Sequence, residues 1–187
     1  HYDHEEMGLK AAIEQVCQQA VDIAKKGTTL LVLNDMGIEK GKTSIPAVMA
    51  TGAVHHRLIV EGLRPECNIV VQTGTARDPH HFAVLIGYGA TAVFPYLAYE
   101  SIQDMRRTNE LNVEKSASFY IANYRKAINK GLYKILSKMG ISTIASYRGS
   151  QLFEAVGLTR DIVDLCFKGT PTRIQGTDFQ HLEVDQR

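Results

Sequence analysis

Between Leu9 and Ala24 the apolar residues Leu9, Ile13, Val16, Ala20 and Ile23 recur every three or four positions, the period of one helix face. Gly27 follows as a C-terminal cap. The pattern then changes. Thr28 to Leu33 is a short run of β-branched and aliphatic residues, predicting a strand buried on both faces that ends in the polar pair Asn34-Asp35. A loop with Gly37 and Gly41 leads to Ser44 and Pro46, which open a second helix to about Glu61, ended by Gly62. Its Ala47, Ala50, Gly52 and Ala53 are small enough to let the backbone lie close on a sheet.

The alternation continues with predicted strands at Asn68 to Gln72 and Thr91 to Pro95, and helices at Pro79 to Ile86 and Tyr99 to Arg107. Asn109 to Lys115 reads as an exposed connection and Ser116 to Lys138 as a long helix. A fourth strand is predicted at Ile141 to Ala145, with helices near Ser150 to Val156 and Thr159 to Phe167. The polar tail from residue 169 reads as a linker, leaving residues 1–168 as the domain. Strands separated by helices require parallel pairing through crossovers. The expected fold class is therefore α/β: a parallel sheet with flanking helices, a partial (β/α) barrel-like unit whose four β-α repeats are half of an eight-fold barrel.

Composition narrows the function. A chain of 187 residues that is 44% hydrophobic and 22% charged suits one soluble domain with a full core. With 21 basic and 20 acidic residues there is no net field for polyanions, which argues against nucleic acid. No apolar run approaches the roughly 20 residues that span a bilayer, and the polar start does not resemble a signal peptide, so a cytoplasmic setting is expected. Cys17, Cys67 and Cys166 are far apart and lack C-x-x-C spacing. They read as reduced, buried thiols and not as a disulfide framework or zinc site.

Ligands of parallel α/β folds sit where strand C-termini feed into loops, which selects Asn34-Asp35, Gln72-Thr73-Gly74-Thr75, Pro95-Tyr96 and Ser146-Tyr147-Arg148-Gly149. The last turn is the most suggestive, because it leads into a predicted helix. Free backbone N–H groups near Ser146 and Gly149, with the guanidinium of Arg148, would suit an anion; an ordinary capped helix with Arg148 paired to an acid is the alternative. His55-His56 and Asp78-Pro79-His80-His81 invite a metal, yet adjacent histidines on a helix point about 100° apart. Asp78 fits better as an N-cap before Pro79. No nucleophile elbow is present, and Gly87-Tyr88-Gly89 precedes a strand, so it reads as a helix exit and not as a dinucleotide loop. Lys126, Lys130, Lys134 and Lys138 recur every four residues, opposite Tyr124, Ile128, Leu132, Ile135 and Met139. That cationic ridge is either a solvated face or, at Lys130 and Lys134, a contact for an anion or an acidic neighbouring domain.

Three contiguous stretches, Thr75 to Leu97, Asn129 to Thr143 and Ser146 to Gly149, resemble the central domain of the glutamate synthase large subunit. The likeness runs from about Ala11 to Gly176, as if the chain were the C-terminal portion of that domain, with residues 169–187 leading toward a missing FMN domain. It implies a parent that forms L-glutamate from glutamine and 2-oxoglutarate using FMN and an iron-sulfur cluster. Within it, this chain would be a coupling element between glutaminase and FMN domains, with a small subunit or ferredoxin as further partner. The N-terminal cysteine nucleophile, the cluster cysteines and the flavin segment of the family are missing here, so no catalytic, cofactor-binding or metal residue is expected in this chain. The family's usual Ser-Asp-Arg after the first strand is Asn34-Asp35-Met36, which removes an arginine from that position. Self-association of the isolated chain is also expected, through apolar faces that would pack on sister domains. The alternative is a free-standing small-anion-binding or barrel-type enzyme with its site at the strand C-terminal ends.

Overall fold

The computed structural model describes residues 1–3 and 5–186. Along the chain run β1 (Tyr2–Asp3), α1 (Leu9–Lys25), β2 (Leu30–Asn34), β3 (Lys42–Thr43), α2 (Ala47–Val60), β4 (Asn68–Gln72), α3 (Pro79–Gly87), β5 (Ala92–Phe94), α4 (Tyr96–Arg107) and α5 (Ala117–Lys138). They are followed by α6 (Ile144–Tyr147), β6 (Ala155–Leu158), α7 (Arg160–Cys166), β7 (Thr172–Thr177) and α8 (Phe179–Asp185). The central sheet has the order β2-β4-β5 and is parallel throughout, with Val32 opposite Val70 and Val70 opposite Ala92. A separate parallel pair joins β6 to β7, and β1 pairs antiparallel with β3. The architecture is α/β with flanking helices, and the sheets do not close into a barrel.

Helix α1 buries Leu9, Ile13 and Ala20 of the predicted face together with Cys17, Val21 and Ala24, whereas Val16 is half-buried and Ile23 exposed, so the buried face is turned slightly from the predicted one. Its exit turns at Gly27, whose φ of 86° is the left-handed conformation expected of a glycine cap. The Gly27 N–H donates to the Ala24 carbonyl at 2.9 Å. Helix α3 begins as the sequence reading expects: the Asp78 carboxylate accepts from the His80 and His81 amides, ahead of Pro79 in the first turn. These bonds hold the Asp78 carboxyl below the usual carboxylate range.

The strand expected to be buried on both faces is not. Leu31 and Leu33 of β2, Ile69 and Val71 of β4 and Val93 of β5 point into the core. On the opposite face Leu30, Val32 and Phe94 are exposed by 54%, 52% and 45%. The apolar run is real, but its second side stays largely open, with the Tyr99 ring of α4 against Phe94 at 5.5 Å between centroids.

Four further expectations are corrected. Ile141 to Ala145 forms no strand: the α5 end folds back through Ile141 N–H to the Leu136 carbonyl, and Thr143 then caps α6 by accepting from the Ser146 amide. Local side-chain bonding of this kind competes with extended structure wherever no partner strand is at hand. Ser150 to Val156 is not helical; Gln151 takes a φ of 56° and Ala155 onward pairs as β6. The tail read as linker contains β7 and α8, the latter capped by Asp178 and tied to the start of α1 where Glu183 accepts from the Leu9 amide at 3.0 Å. Gly52, read as a seat for a sheet, faces the Cys166 backbone of α7 instead.

That close approach is testable. A Cβ at residue 52 would collide with the Cys166 carbonyl, which is backbone and cannot rotate away. Gly52→Ala should therefore cost about 1–3 kcal/mol, the range for overpacking, read as a lower urea midpoint at unchanged slope. A neutral result would show that α2 and α7 are not packed this closely.

Candidate functional sites at the two edges of the sheet

At the C-terminal edge the structure brings together three of the four predicted loops. Asp35 follows β2, Thr73 to Thr75 follow β4 and Tyr96 follows β5. The Asp35 carboxylate accepts from the fully buried Thr73 hydroxyl and, at 3.0 Å, from the Gly74 amide. Thr73 and Thr75 share a hydroxyl contact of 2.9 Å, and the Tyr96 hydroxyl donates to the Asp35 carbonyl at 3.4 Å. Burial, with the nearby Asp35, pushes the Tyr96 phenol up. These groups are engaged with one another, a network that locks three loops. The adjoining cavity, lined by Asn34, Asp35, Ser44 and Thr73, holds only about 70 Å³.

The fourth loop is elsewhere. Helix α3 starts at the C-terminal edge and runs back to the N-terminal one, and the Gly149 amide donates to the carbonyl of Gly87 at its far end, at 2.9 Å. The Ser146 to Ser150 turn therefore lies at the N-terminal edge, opposite to the expectation, because no strand precedes it. Ser146 is held by Thr143 and exposed; with the Ser146 and Gly149 amides both engaged, the free backbone donors that drew attention to this turn are absent. Arg148 keeps a buried Nε without a hydrogen-bond partner.

Arg64, which sequence reasoning did not single out, organises this edge. Its Nε donates to His55 Nδ1 at 2.9 Å, Nη1 to the Cys67 carbonyl at 2.5 Å and Nη2 to the Gly89 carbonyl at 2.9 Å. One guanidinium thus ties α2 to the entrances of β4 and β5. Because His55 Nδ1 accepts, its proton resides on Nε2. Burial first, then the charges of Arg64, His56 and Arg148, push the His55 pKa down to about 4. Burial also lowers the Arg64 pKa, with repulsion from Arg148 adding to it. No local sequence motif announces this fork; its acceptors are two backbone carbonyls and a ring from separate elements.

Lys126, Lys130, Lys134 and Lys138 are exposed along α5 and have no ion-pair partner among the described residues. The core-facing side is Tyr124, Ile128, Leu132 and Ile135 with the buried Leu136, whereas Met139 is half exposed. Among the described residues no group of three His, Cys, Asp or Glu is placed to hold a metal ion. Cys17 and Cys166 are buried thiols pushed up to about 11 and about 12, chiefly by burial.

The family described as the glutamate synthase central domain matches residues 1–159. The chain belongs to the glutamate synthase central domain family. It is 40% identical over 178 residues to the NADH glutamate synthase of Schizosaccharomyces pombe, an alignment covering 95% of this chain and 8% of that protein. The large chain of the NADPH glutamate synthase of Bacillus subtilis is 42% identical over 172 residues, 92% of this chain and 11% of the relative. The ferredoxin-dependent glutamate synthase 1 of Arabidopsis thaliana is 43% identical over 191 residues, 95% and 12% of the two chains. This central-domain chain therefore spans about a tenth of the length of the curated relatives it matches.

Neither the hydrogen-bonded network at the strand C-termini nor the three cysteines fits the FMN or iron-sulfur cluster associated with glutamate synthases. At the strand C-termini the cavity beside Asp35 and Thr73, about 70 Å³, is far below the roughly 300 Å³ of pockets that enclose ligands of drug size, and the one between the starts of α2 and α3, about 310 Å³, is lined mainly by apolar residues with His80 and His81. The position a side chain would take at Gly74 is crowded by Tyr96 and Leu97. Cysteines held as protonated thiols in the core are not ligands for an iron-sulfur cluster.

Two outcomes follow from the two edges. Thr73→Val strips the buried hydroxyl from the Asp35 carboxylate and should destabilise the chain by about 1–3 kcal/mol in urea unfolding. A histidine that stays neutral when folded but takes a proton near 6.5 when unfolded contributes stability that is complete above pH 6.5. That contribution should fall as the pH drops toward about 4, and His55→Asn, which keeps a neutral acceptor, should flatten the decline in unfolding free energy across that window. An unchanged slope would show that His55 is not held neutral.

Proposed function

We propose that this chain is a non-catalytic coupling domain of a glutamate synthase, holding the glutaminase and FMN parts of its parent in register while that parent forms L-glutamate from glutamine and 2-oxoglutarate. The observation that carries the reading is the alignment of more than nine tenths of this chain, at 40% identity or above, with about a tenth of each much longer glutamate synthase. In this reading residues 1–168 are the central-domain part, and residues 169–187, whose β7 and α8 pack on that part, precede the FMN domain. FMN and the iron-sulfur cluster belong to the rest of a cytoplasmic parent.

Two structural features support an interdomain role. A parallel sheet ordinarily has both faces covered, and the exposed Leu30, Val32 and Phe94 leave a face for sister polypeptide to pack on. The unpaired Lys130 and Lys134 offer a cationic contact to an acidic surface. Relatives named for NADH, NADPH and ferredoxin match at 40%, 42% and 43% identity, which supports placing the choice of electron donor, a small subunit or ferredoxin, elsewhere in the parent. The barrel-type enzyme alternative loses its anion site, because Arg148 lies away from the strand C-termini.

The test is a graft of this chain in place of the aligned 172 residues of the Bacillus subtilis large chain, with glutaminase turnover and glutamate formation assayed separately. The graft should keep the two in step, whereas a flexible linker of equal length should leave hydrolysis running without matching glutamate formation. In the same graft Lys130→Glu with Lys134→Glu should loosen that match. The isolated chain should neither quench FMN fluorescence stoichiometrically nor form glutamate. Coupled turnover with the flexible linker, or flavin binding by the chain alone, would overturn the reading.

A further inference from the structure

A second, larger cavity of about 430 Å³ opens at the N-terminal edge, between α2, the end of α3 and the segment from Gly149 to Phe153. We infer that it binds a small uncharged ligand, an apolar body carrying a carboxamide, and that the His55-His56 pair recognises the carboxamide. The inference goes beyond the coupling role proposed above and does not depend on it, because it uses only side chains that line this cavity and the bonds that orient them.

The histidine pair that invites a metal in the sequence offers something else in the fold. Both rings line the cavity, with centroids 5.2 Å apart and planes at 85°. Their Nδ1 atoms are committed to protein partners of opposite kind. His55 Nδ1 accepts from the Arg64 Nε at 2.9 Å, so the proton of that ring is on Nε2, which donates. His56 Nδ1 lies 2.8 Å from the Gly52 carbonyl, which can only accept, so its proton stays on Nδ1 and the neutral ring presents a lone pair at Nε2. Neither Nε2 has a hydrogen-bond partner among the described residues, and both remain accessible. One donor beside one acceptor matches the C=O and the N–H of a carboxamide. A metal ion would need a lone pair from each ring, and His55 has none at Nε2.

The walls are apolar and held in place. Ile59, Val60 and Phe153 supply apolar surface, with Phe153 stacked on Tyr88 at 5.2 Å between ring centroids. Three lining side chains sit directly on glycine backbone, where a Cβ would strike them: Phe153 on Gly87, the Gln151 amide on Gly169 and His55 on Gly89. A site assembled before its ligand arrives loses less entropy on binding. The Gln151 side chain adds a second uncharged donor and acceptor. His55 is kept neutral chiefly by burial, with its pKa pushed down to about 4, and the charged side chain in the lining is the exposed Lys168. A carboxylate in place of the carboxamide would set an oxygen against the His56 lone pair, and the two would repel. The volume lies in the range of pockets that enclose a small organic ligand.

The test uses the isotope-labelled 187-residue chain. Histidine ring nitrogen resonances distinguish a protonated nitrogen from one with a lone pair, and they should place the proton on Nε2 of His55 and on Nδ1 of His56. The chain is then titrated with benzamide, with acetophenone, which keeps the ring and the carbonyl but has no N–H, and with benzoate. Benzamide should give saturable shifts at both Nε2 atoms and at Gln151, and bind about fivefold more tightly than acetophenone, the value of one hydrogen bond. Benzoate should bind more weakly than benzamide. His56→Phe keeps an aromatic ring and removes the acceptor, so it should erase the preference for benzamide while acetophenone still binds, which shows the cavity intact. If that variant does not fold, the tautomers and the order of the three ligands in the parent chain decide the matter by themselves. Reversed tautomers, no saturable shift with benzamide, a benzamide preference that survives in His56→Phe, or benzoate bound more tightly than benzamide would each overturn the inference.

Discussion

Ile69 and Val71, at the centre of a three-stranded parallel sheet, share a closed core with Val54 and Leu58 of α2, Ile13 and Val21 of α1 and Ile162 of α7, all almost wholly excluded from water. Every other feature is arranged around that one-sided burial. A strand contributes alternate residues to each face, so sealing one face leaves Leu30, Val32 and Phe94 on the other. The helices that seal it must approach closely, and Gly52 against the Cys166 backbone lets two of them do so.

The same sheet separates two polar regions with different chemistry. At the C-terminal edge Asp35, Thr73 and Thr75 satisfy one another, and the result is rigidity: three loops are joined by bonds that leave little for a ligand. At the N-terminal edge the balance is the other way. Arg64 joins α2 to two strand entrances, His55 stays neutral as its acceptor, and Arg148 is left with charge and a donor to spare. A polar group that is buried and unpaired asks for a partner, whereas one that is buried and paired does not.

Membership of the glutamate synthase central domain family fits this distribution. The chain spans about a tenth of the length of its curated relatives, and the proposed interdomain role rests on surfaces that water alone does not explain. An open sheet face and an unpaired lysine ridge are features of that kind.

Much was legible from local pattern alone. The helical period of Leu9 to Ala24, the Asp78-Pro79 start of α3 and the long helix to Lys138 rest on interactions within a few residues, so periodicity and capping chemistry determined them. The three loops at the C-terminal edge were legible too, because parallel strands carry their following loops to one side. What local pattern could not decide was anything that depends on a partner distant in the chain. Ile141 to Ala145 has strand composition but no strand beside it, while Ala155 to Leu158 and Thr172 to Thr177 become strands by pairing with each other. The same reason governs Arg148 and Arg64: the edge on which a guanidinium lies, and whether its donors find acceptors, is set by which elements pack around it, and only the tertiary structure decides that.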